Sequence, residues 1–210
     1  MFDCIFTPHC TENFCDKSCP NLVETTYLLE RNKIDITSPV FKDLYYLLDS
    51  MMKDLAKVET GVQTFFANST DSVRVADFIT YCEICKNWKG SRLHCTVYNL
   101  RYSRFLDDVK KSWGMKQEPE DLEYQRIWID TCKVLVISNM DYVKFGDYET
   151  QTLLNLIQQR QTGDKKTILV TPPINRIVTA SSSSGSSSNL FFESLKQILN
   201  STKTGMVELR

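Results

Sequence analysis

From residue 61 onward, short apolar runs alternate with amphipathic stretches, and no other feature of the sequence restricts the fold as strongly. The runs are residues 62–67 (VQTFFA), 95–100 (CTVYNL), 132–137 (CKVLVI) and 167–171 (TILVT), with GMVELR at 205–210. Between them lie VADFITYCEICKNW, SRFLDDVKKSW followed by the acidic EPEDLEYQRIWID, TQTLLNLIQQRQ and LFFESLKQILN, which read as helices. A strand with one wet face alternates polar and apolar side chains, whereas these runs are apolar on both faces. Such strands, separated by helices, predict a five-stranded parallel sheet covered by helices on both sides, an α/β architecture.

Upstream the pattern differs. Residues 21–32 (NLVETTYLLERN) suit a short helix. Ser38 and Pro39 supply an N-cap and a first-turn proline for a long amphipathic helix over 40–59, apolar at Phe41, Leu44, Tyr45, Leu48, Met51, Met52 and Leu55. Thr60-Gly61 ends it. The stripe would pack on its own domain, the commoner use of such a face, or dock a partner. Residues 1–60 carry six basic and ten acidic side chains, so this front suits a protein partner better than a phosphate backbone. The expected division is a Cys-rich module over 1–37, an amphipathic helix or linker over 38–60, and the α/β domain over 61–210. Within the last, the low-complexity SSSSGSSS at 181–188 is expected to form a surface loop.

The chain has eight cysteines, and four of them, with one of its two histidines, fall in the first nineteen residues: Cys4, His9, Cys10, Cys15 and Cys19. So short a stretch cannot bury four thiols in a core of its own. A tetrahedral Zn²⁺ site would organise it, with Cys4, Cys10, Cys15 and Cys19 as ligands and His9 as an alternative ligand; an iron–sulfur cluster is the other metal reading, and thiols packing singly the metal-free one. Cys82, Cys85 and Cys95 with His94 could make a second site, but the helical spacing of Val75, Phe78, Ile79, Cys82 and Cys85 favours core packing, as does Cys132 at the head of an apolar run. The amino terminus has neither the basic nor the apolar region of a signal peptide, and no long apolar run suits a membrane span. A cytoplasmic chain with reduced or metal-bound thiols is expected.

The net charge of −1 conceals a basic segment. Between Lys86 and Trp113 stand Lys86, Lys89, Arg92, Arg101, Arg104, Lys110 and Lys111, opposed only by Asp107 and Asp108. Trp88, Tyr98, Tyr102, Phe105 and Trp113 are interleaved with them. Cations for phosphates and rings for stacking are what a single-stranded nucleic acid needs, though Tyr98 and Phe105 also suit the core, and a charge run can equally be a solvated face.

The order of these elements resembles the AAA+ ATPase core of replicative-helicase loaders and the related transposon ATP-binding subunits. The resemblance covers roughly residues 60–210. It is nearest where WIDTCKVLVIS, NMDYVKFGDYETQTLLNLIQQRQTGDKK and TILVTPP stand in the order of a Walker B strand, a helix and a sensor strand. It implies a RecA-like fold, a helicase or AAA+ ATPase as partner, and a nucleotide site after the first strand. The diagnostic motifs are degraded. Where a phosphate loop G-x4-G-K-[ST] belongs, residues 67–74 read ANSTDSVR, without glycine or the motif lysine. Ser69, Ser72 and Arg74 are what remains there, with Asp71 set to repel phosphate. Where an acidic pair would hold Mg²⁺, the third strand ends in Ser138-Asn139. Thr171 at the sensor strand is followed by Pro172-Pro173.

These readings converge on a non-catalytic adaptor that uses no ATP and binds a helicase or ATPase partner, with single-stranded nucleic acid as a further ligand, no membrane, and self-association open. The alternatives are a zinc-containing nucleic-acid-binding protein unrelated to loaders, or an active ATPase whose phosphates are held by Arg74 and Ser69 in an atypical loop. No other catalytic constellation competes: there is no G-x-S-x-G, and His94 is the only histidine in the large domain.

Overall fold

The computed structural model describes residues 27–35, 44–68, 71–87, 97–173, 177 and 187–207 of the 210-residue chain. Residues 27–31 are helical, and a 3-10 turn at Tyr45–Leu47 leads into α1 (Leu48–Ala56). The sheet and its covering helices follow as β1 (Gly61–Ala67), α2 (Ser72–Asn87), β2 (Val97–Arg101), α3 (Tyr102–Ser112), α4 (Glu120–Thr131) and β3 (Val134–Ser138). The chain continues through α5 (Asp147–Thr162), β4 (Lys166–Thr171), α6 (Ser187–Ser201) and β5 (Lys203–Val207).

All five strands run parallel, in the order β2-β3-β4-β1-β5, as the doubly apolar runs require. Phe65 stands opposite Val170, and Ile137 opposite Leu169. Successive side chains leave a strand on opposite faces, so the sheet has two cores. On one face Phe65, Val134, Val136, Ile168 and Val170 meet Val75, Phe78, Ile79 and Cys82 of α2. Leu28, Leu29, Ile34, Leu44, Met51 and Leu55 join that cluster, so Met51 and Leu55 of α1 are spent on packing within their own domain, where α1 meets α2. On the other face Phe66, Leu135, Ile137 and Leu169 meet Phe105, Leu153, Ile157 and Leu195 from α3, α5 and α6. Burying each such side chain contributes about 1.5–3 kcal/mol. Cys82 and Cys132 are buried, as their place in apolar patterns implies.

Element boundaries differ from the periodicity at four places. Cys132 caps the end of α4, so β3 starts at Val134. Helix α3 begins at Tyr102 directly after β2. The predicted single helix over 40–59 contains a 3-10 turn before α1, whose N-cap Leu47 offers no side-chain acceptor. Strand β5 begins at Lys203, two residues earlier than its apolar pattern, and the Lys203 ammonium lies 5.5 Å from the Phe66 ring centroid.

Two buried cations fix the N-terminal edge of the sheet. Lys166 Nζ donates to Glu83 Oε1 at 2.6 Å and to the Leu55 carbonyl at 2.8 Å, tying β4 to α2 and to the end of α1. Burial pulls the Lys166 pKa down, and Glu83 opposes that shift. Arg160 of α5 donates to the carbonyls of Ile129, Cys132, Lys133 and Lys166 and to the Thr167 hydroxyl, joining α4, α5, β3 and β4. Among the described residues no helix is long and apolar enough to cross a membrane.

Candidate functional site

Open parallel sheets present their ligand sites at the C-terminal ends of the strands, where loops and helix N-termini converge. Here that edge is formed by the ends of β1, β2 and β3 and the start of α2. The window Ala67–Arg74, where a phosphate loop is expected from the resemblance, has Val73 at the motif's lysine position. Val73 lines a cavity of about 590 Å³ together with Arg101, Ser103, Asp107, Lys110, Asn139, Tyr142, Lys144 and Glu149.

The polar groups around that edge are bonded to one another. Ser72, fully buried, donates its hydroxyl to Asp141 Oδ1 at 3.1 Å. Burial raises the Asp141 pKa, and the Ser72 hydrogen bond opposes the shift. Ser138, the last residue of β3, lies 3.5 Å from Asn99 Oδ1, and Asn99 Nδ2 donates to Asp77 Oδ1 at 2.7 Å. Arg101 approaches the same carboxylate at 3.6 Å. Burial pushes Asp77 up to about 6, against the pull of Arg101 and Asn99. Asn139 takes a left-handed backbone, φ +62°, and donates its amide to Ser103 Oγ at 2.6 Å. Thr171, also buried, donates its hydroxyl to the carbonyl of Pro172 at 3.2 Å.

The cavity's charges nearly cancel. Lys110 Nζ sits 2.6 Å from Glu149 Oε1, while Glu149 Oε2 accepts the Gly146 amide at 3.0 Å and caps α5. Burial alone would raise the Glu149 carboxyl, but the hydrogen bonds from Lys110 and the backbone outweigh it and hold it below the usual range. Arg101, Lys110 and Lys144 therefore share the cavity lining with Asp107 and Glu149.

The described cations of the basic segment do not all lie in one groove. Lys86, near the end of α2, donates to the Leu55 carbonyl at 2.9 Å and lies 3.9 Å from Glu83, on the N-terminal edge of the sheet. Arg101 ends β2 on the opposite edge, and α2 runs antiparallel to the strands, which separates the two cations by the height of the sheet. Arg104 and Lys111 flank Asp108 at 4.0 and 3.9 Å. Lys89 and Arg92 lie outside the described residues. Of the interleaved rings, Tyr102 and Phe105 are buried, whereas Trp113 is exposed and packs edge-on against Tyr148 at 5.2 Å between centroids.

Of the positions marked as a degraded nucleotide site, Ser72, Ser138 and Asn139 gather at the C-terminal edge. Arg74 instead points to solvent, 3.8 Å from Asp71, and Ser69 lies outside the described residues. The expected metal ligands Cys4, His9, Cys10, Cys15 and Cys19, and residues 181–186 of the loop expected over 181–188, also lie outside them, whereas Ser187 and Ser188 open α6 instead of belonging to a loop. Among the described residues no three metal-binding side chains cluster. Sequence reasoning missed the Asp77–Asn99–Arg101 network and the part of Glu149. The available signal was Asn99, a polar residue within an apolar strand, which needs buried partners.

No protein-family model matches the sequence, and no curated protein matches it. Solved structures do match in backbone. Domain III of the Thermotoga maritima replication initiation protein DnaA aligns with a TM-score of 0.50 and 10% identity, over 87% of this chain and 67% of that one. The DnaC helicase loader aligns at 0.49 and 13% identity, over 88% and 99% respectively. AMPPCP-bound DnaA from Aquifex aeolicus aligns at 0.48 and 9%, over 79% of this chain and 45% of that one. The chain thus spans less than half the length of several DnaA structures it matches. With domain III of DnaA as the measure, the likeness is one of fold: an α/β domain built on a five-stranded parallel sheet.

Proposed function

We propose that this chain is a loader-like adaptor that does not hydrolyse ATP and acts by holding a replicative helicase or another AAA+ ATPase. One observation carries the reading. At the edge where this fold class uses nucleotide, Ser72, Ser138 and Asn139 are bonded to Asp141, Asn99 and Ser103, and Val73 occupies the lysine position. Hydrolysis needs a cation on the β/γ-phosphates and carboxylates on Mg²⁺. Val73 supplies no cation, and Ser138-Asn139 supply no acidic pair.

In this proposal the cysteines of residues 1–37 form a separate Zn²⁺ module, with an iron–sulfur cluster as the alternative. That module and the acidic front offer the partner-binding surface, and the chain works in the cytoplasm. Single-stranded nucleic acid is a second ligand in the proposal, favoured by the exposed Trp113 beside Lys110 and Lys111.

Sedimentation of the purified chain with its host's replicative helicase tests the adaptor reading. A complex that forms equally with and without ATP·Mg²⁺ is expected. Failure to co-sediment, or a complex that requires nucleotide bound to this chain, would overturn it.

A further inference from the structure

A second cavity, of about 240 Å³, opens beside the free edge of β2, between residues 31–33, the end of that strand and α4. Four cations line it, Arg31, Lys33, Arg101 and Arg104, against a single carboxylate, Asp121. The cavity holding Val73 is nearly balanced; this one is not.

Its wall is built before any ligand arrives. The Asn32 side chain pairs with the edge of β2 as a neighbouring strand would: Nδ2 donates to the Val97 carbonyl at 3.2 Å and Oδ1 accepts the Asn99 amide at 2.8 Å. An open ladder is thereby satisfied and residues 31–33 are fixed against it. Arg31 donates to the same Val97 carbonyl at 2.7 Å, and its guanidinium lies 4.0 Å from the Trp128 ring centroid. Lys33 takes a left-handed backbone, φ +57°, closed by hydrogen bonds from Lys33 N to the Glu30 carbonyl and from Ile34 N to the Leu29 carbonyl, both 2.9 Å.

Arg31 is the informative member. Burial lowers its pKa against the pull of Tyr27, yet among the described residues no carboxylate pairs with it and its buried Nε has no hydrogen-bond partner. A guanidinium held partly out of water by the Trp128 ring, the Val97 carbonyl and Tyr27, with no carboxylate on it among the described residues, is organised for an anion. Arg101 shares Asp77 at 3.6 Å, and Arg104 reaches Asp108 only at 4.0 Å, so both retain donors for a ligand.

We propose that this cavity binds a phosphate dianion, either inorganic phosphate or the terminal group of a small phosphate monoester. The guanidinium fork matches tetrahedral phosphate oxygens in bidentate geometry, and an excess of three positive charges favours a dianion over chloride or a monocarboxylate. The site lies on the outer edge of β2, away from the phosphate-loop window between β1 and α2.

Calorimetric titration with inorganic phosphate and with glycerol 3-phosphate, at fixed ionic strength, tests the proposal. Saturable binding of at least one is expected, and which one binds identifies the source. Lys33 and Arg104 are both exposed, so the double variant Lys33→Gln/Arg104→Gln should fold normally and bind at least tenfold more weakly. Lys111→Gln, outside the cavity, should bind as the parent does. Absence of saturable binding, equal binding by the double variant, or succinate binding as tightly as phosphate would each overturn it. A failure here leaves the adaptor reading standing, because neither cavity wall nor ligand is shared with its test.

Discussion

Replacing Arg160 with methionine should cost about 3 kcal/mol. The side chain is only 3% exposed, and its guanidinium serves four backbone carbonyls, a hydroxyl and the Cys132 thiol. The losses are unequal. The Lys133 carbonyl keeps the Lys166 amide at 3.0 Å, and the Thr167 hydroxyl can rotate. At the end of α4 the Cys132 carbonyl loses its Arg160 donor and the Ile129 carbonyl keeps only the weak Cys132 thiol at 3.7 Å. Two buried acceptors left without a strong donor cost about 1–3 kcal/mol each, and removing a desolvated charge offsets part of this. For a chain of this size, about 3 kcal/mol lowers Tm by roughly 6–12 °C. Arg160→Lys should lose as much, since one ammonium cannot span acceptors that a planar fork reaches together. Differential scanning calorimetry of the three proteins reads the effect. An Arg160→Met protein melting within about 2 °C of the parent would refute the claim that this side chain ties α4 and α5 to the sheet.

Three further outcomes follow from the same reasoning. Glu83→Gln should destabilise the chain by about 3–5 kcal/mol by leaving the Lys166 ammonium unpaired, while Glu83→Gln/Lys166→Met should recover most of it in denaturant melts. Folding holds the Asp77 proton more tightly than the unfolded chain does, so the stability it contributes is complete below pH 3.8 and lost as pH rises through about 6; Asp77→Asn should flatten that decline, and an unchanged pH profile would contradict the burial assigned to the carboxyl. Elemental analysis of the purified full chain should find one Zn²⁺ per molecule, reduced when Cys15 and Cys19 become serine; metal-free protein of unchanged stability would remove the metal module.

Much of the architecture was legible because burial on both strand faces leaves a direct trace in composition. The VLVI part of the run at 132–137 could belong to little other than a covered parallel strand, although Cys132 ends the preceding helix, and the helices between the runs keep their period. The expectation of a degraded nucleotide window rests on the opposite kind of sign, since a phosphate loop requires glycine and lysine and ANSTDSVR has neither. What failed was proximity across the sheet. Lys86 and Arg101 are near in sequence, yet a helix antiparallel to the strands carries them to opposite edges. Arg31 and Arg104 are far apart in sequence, yet Asn32 clamped to β2 puts them in one cavity. Charge runs report composition along the chain, and only topology converts them into surfaces.

The central claim of the proposed adaptor reading is that the parallel sheet persists here without a working nucleotide site. Equilibrium titration of the full chain with a fluorescent ATP analogue and Mg²⁺, followed by a phosphate-release assay on the same sample, tests it most directly. The account predicts no saturable binding in the micromolar range and no turnover above the protein-free rate. Micromolar affinity with phosphate release would contradict it, and would point to Arg74 and Ser69 as an atypical phosphate loop.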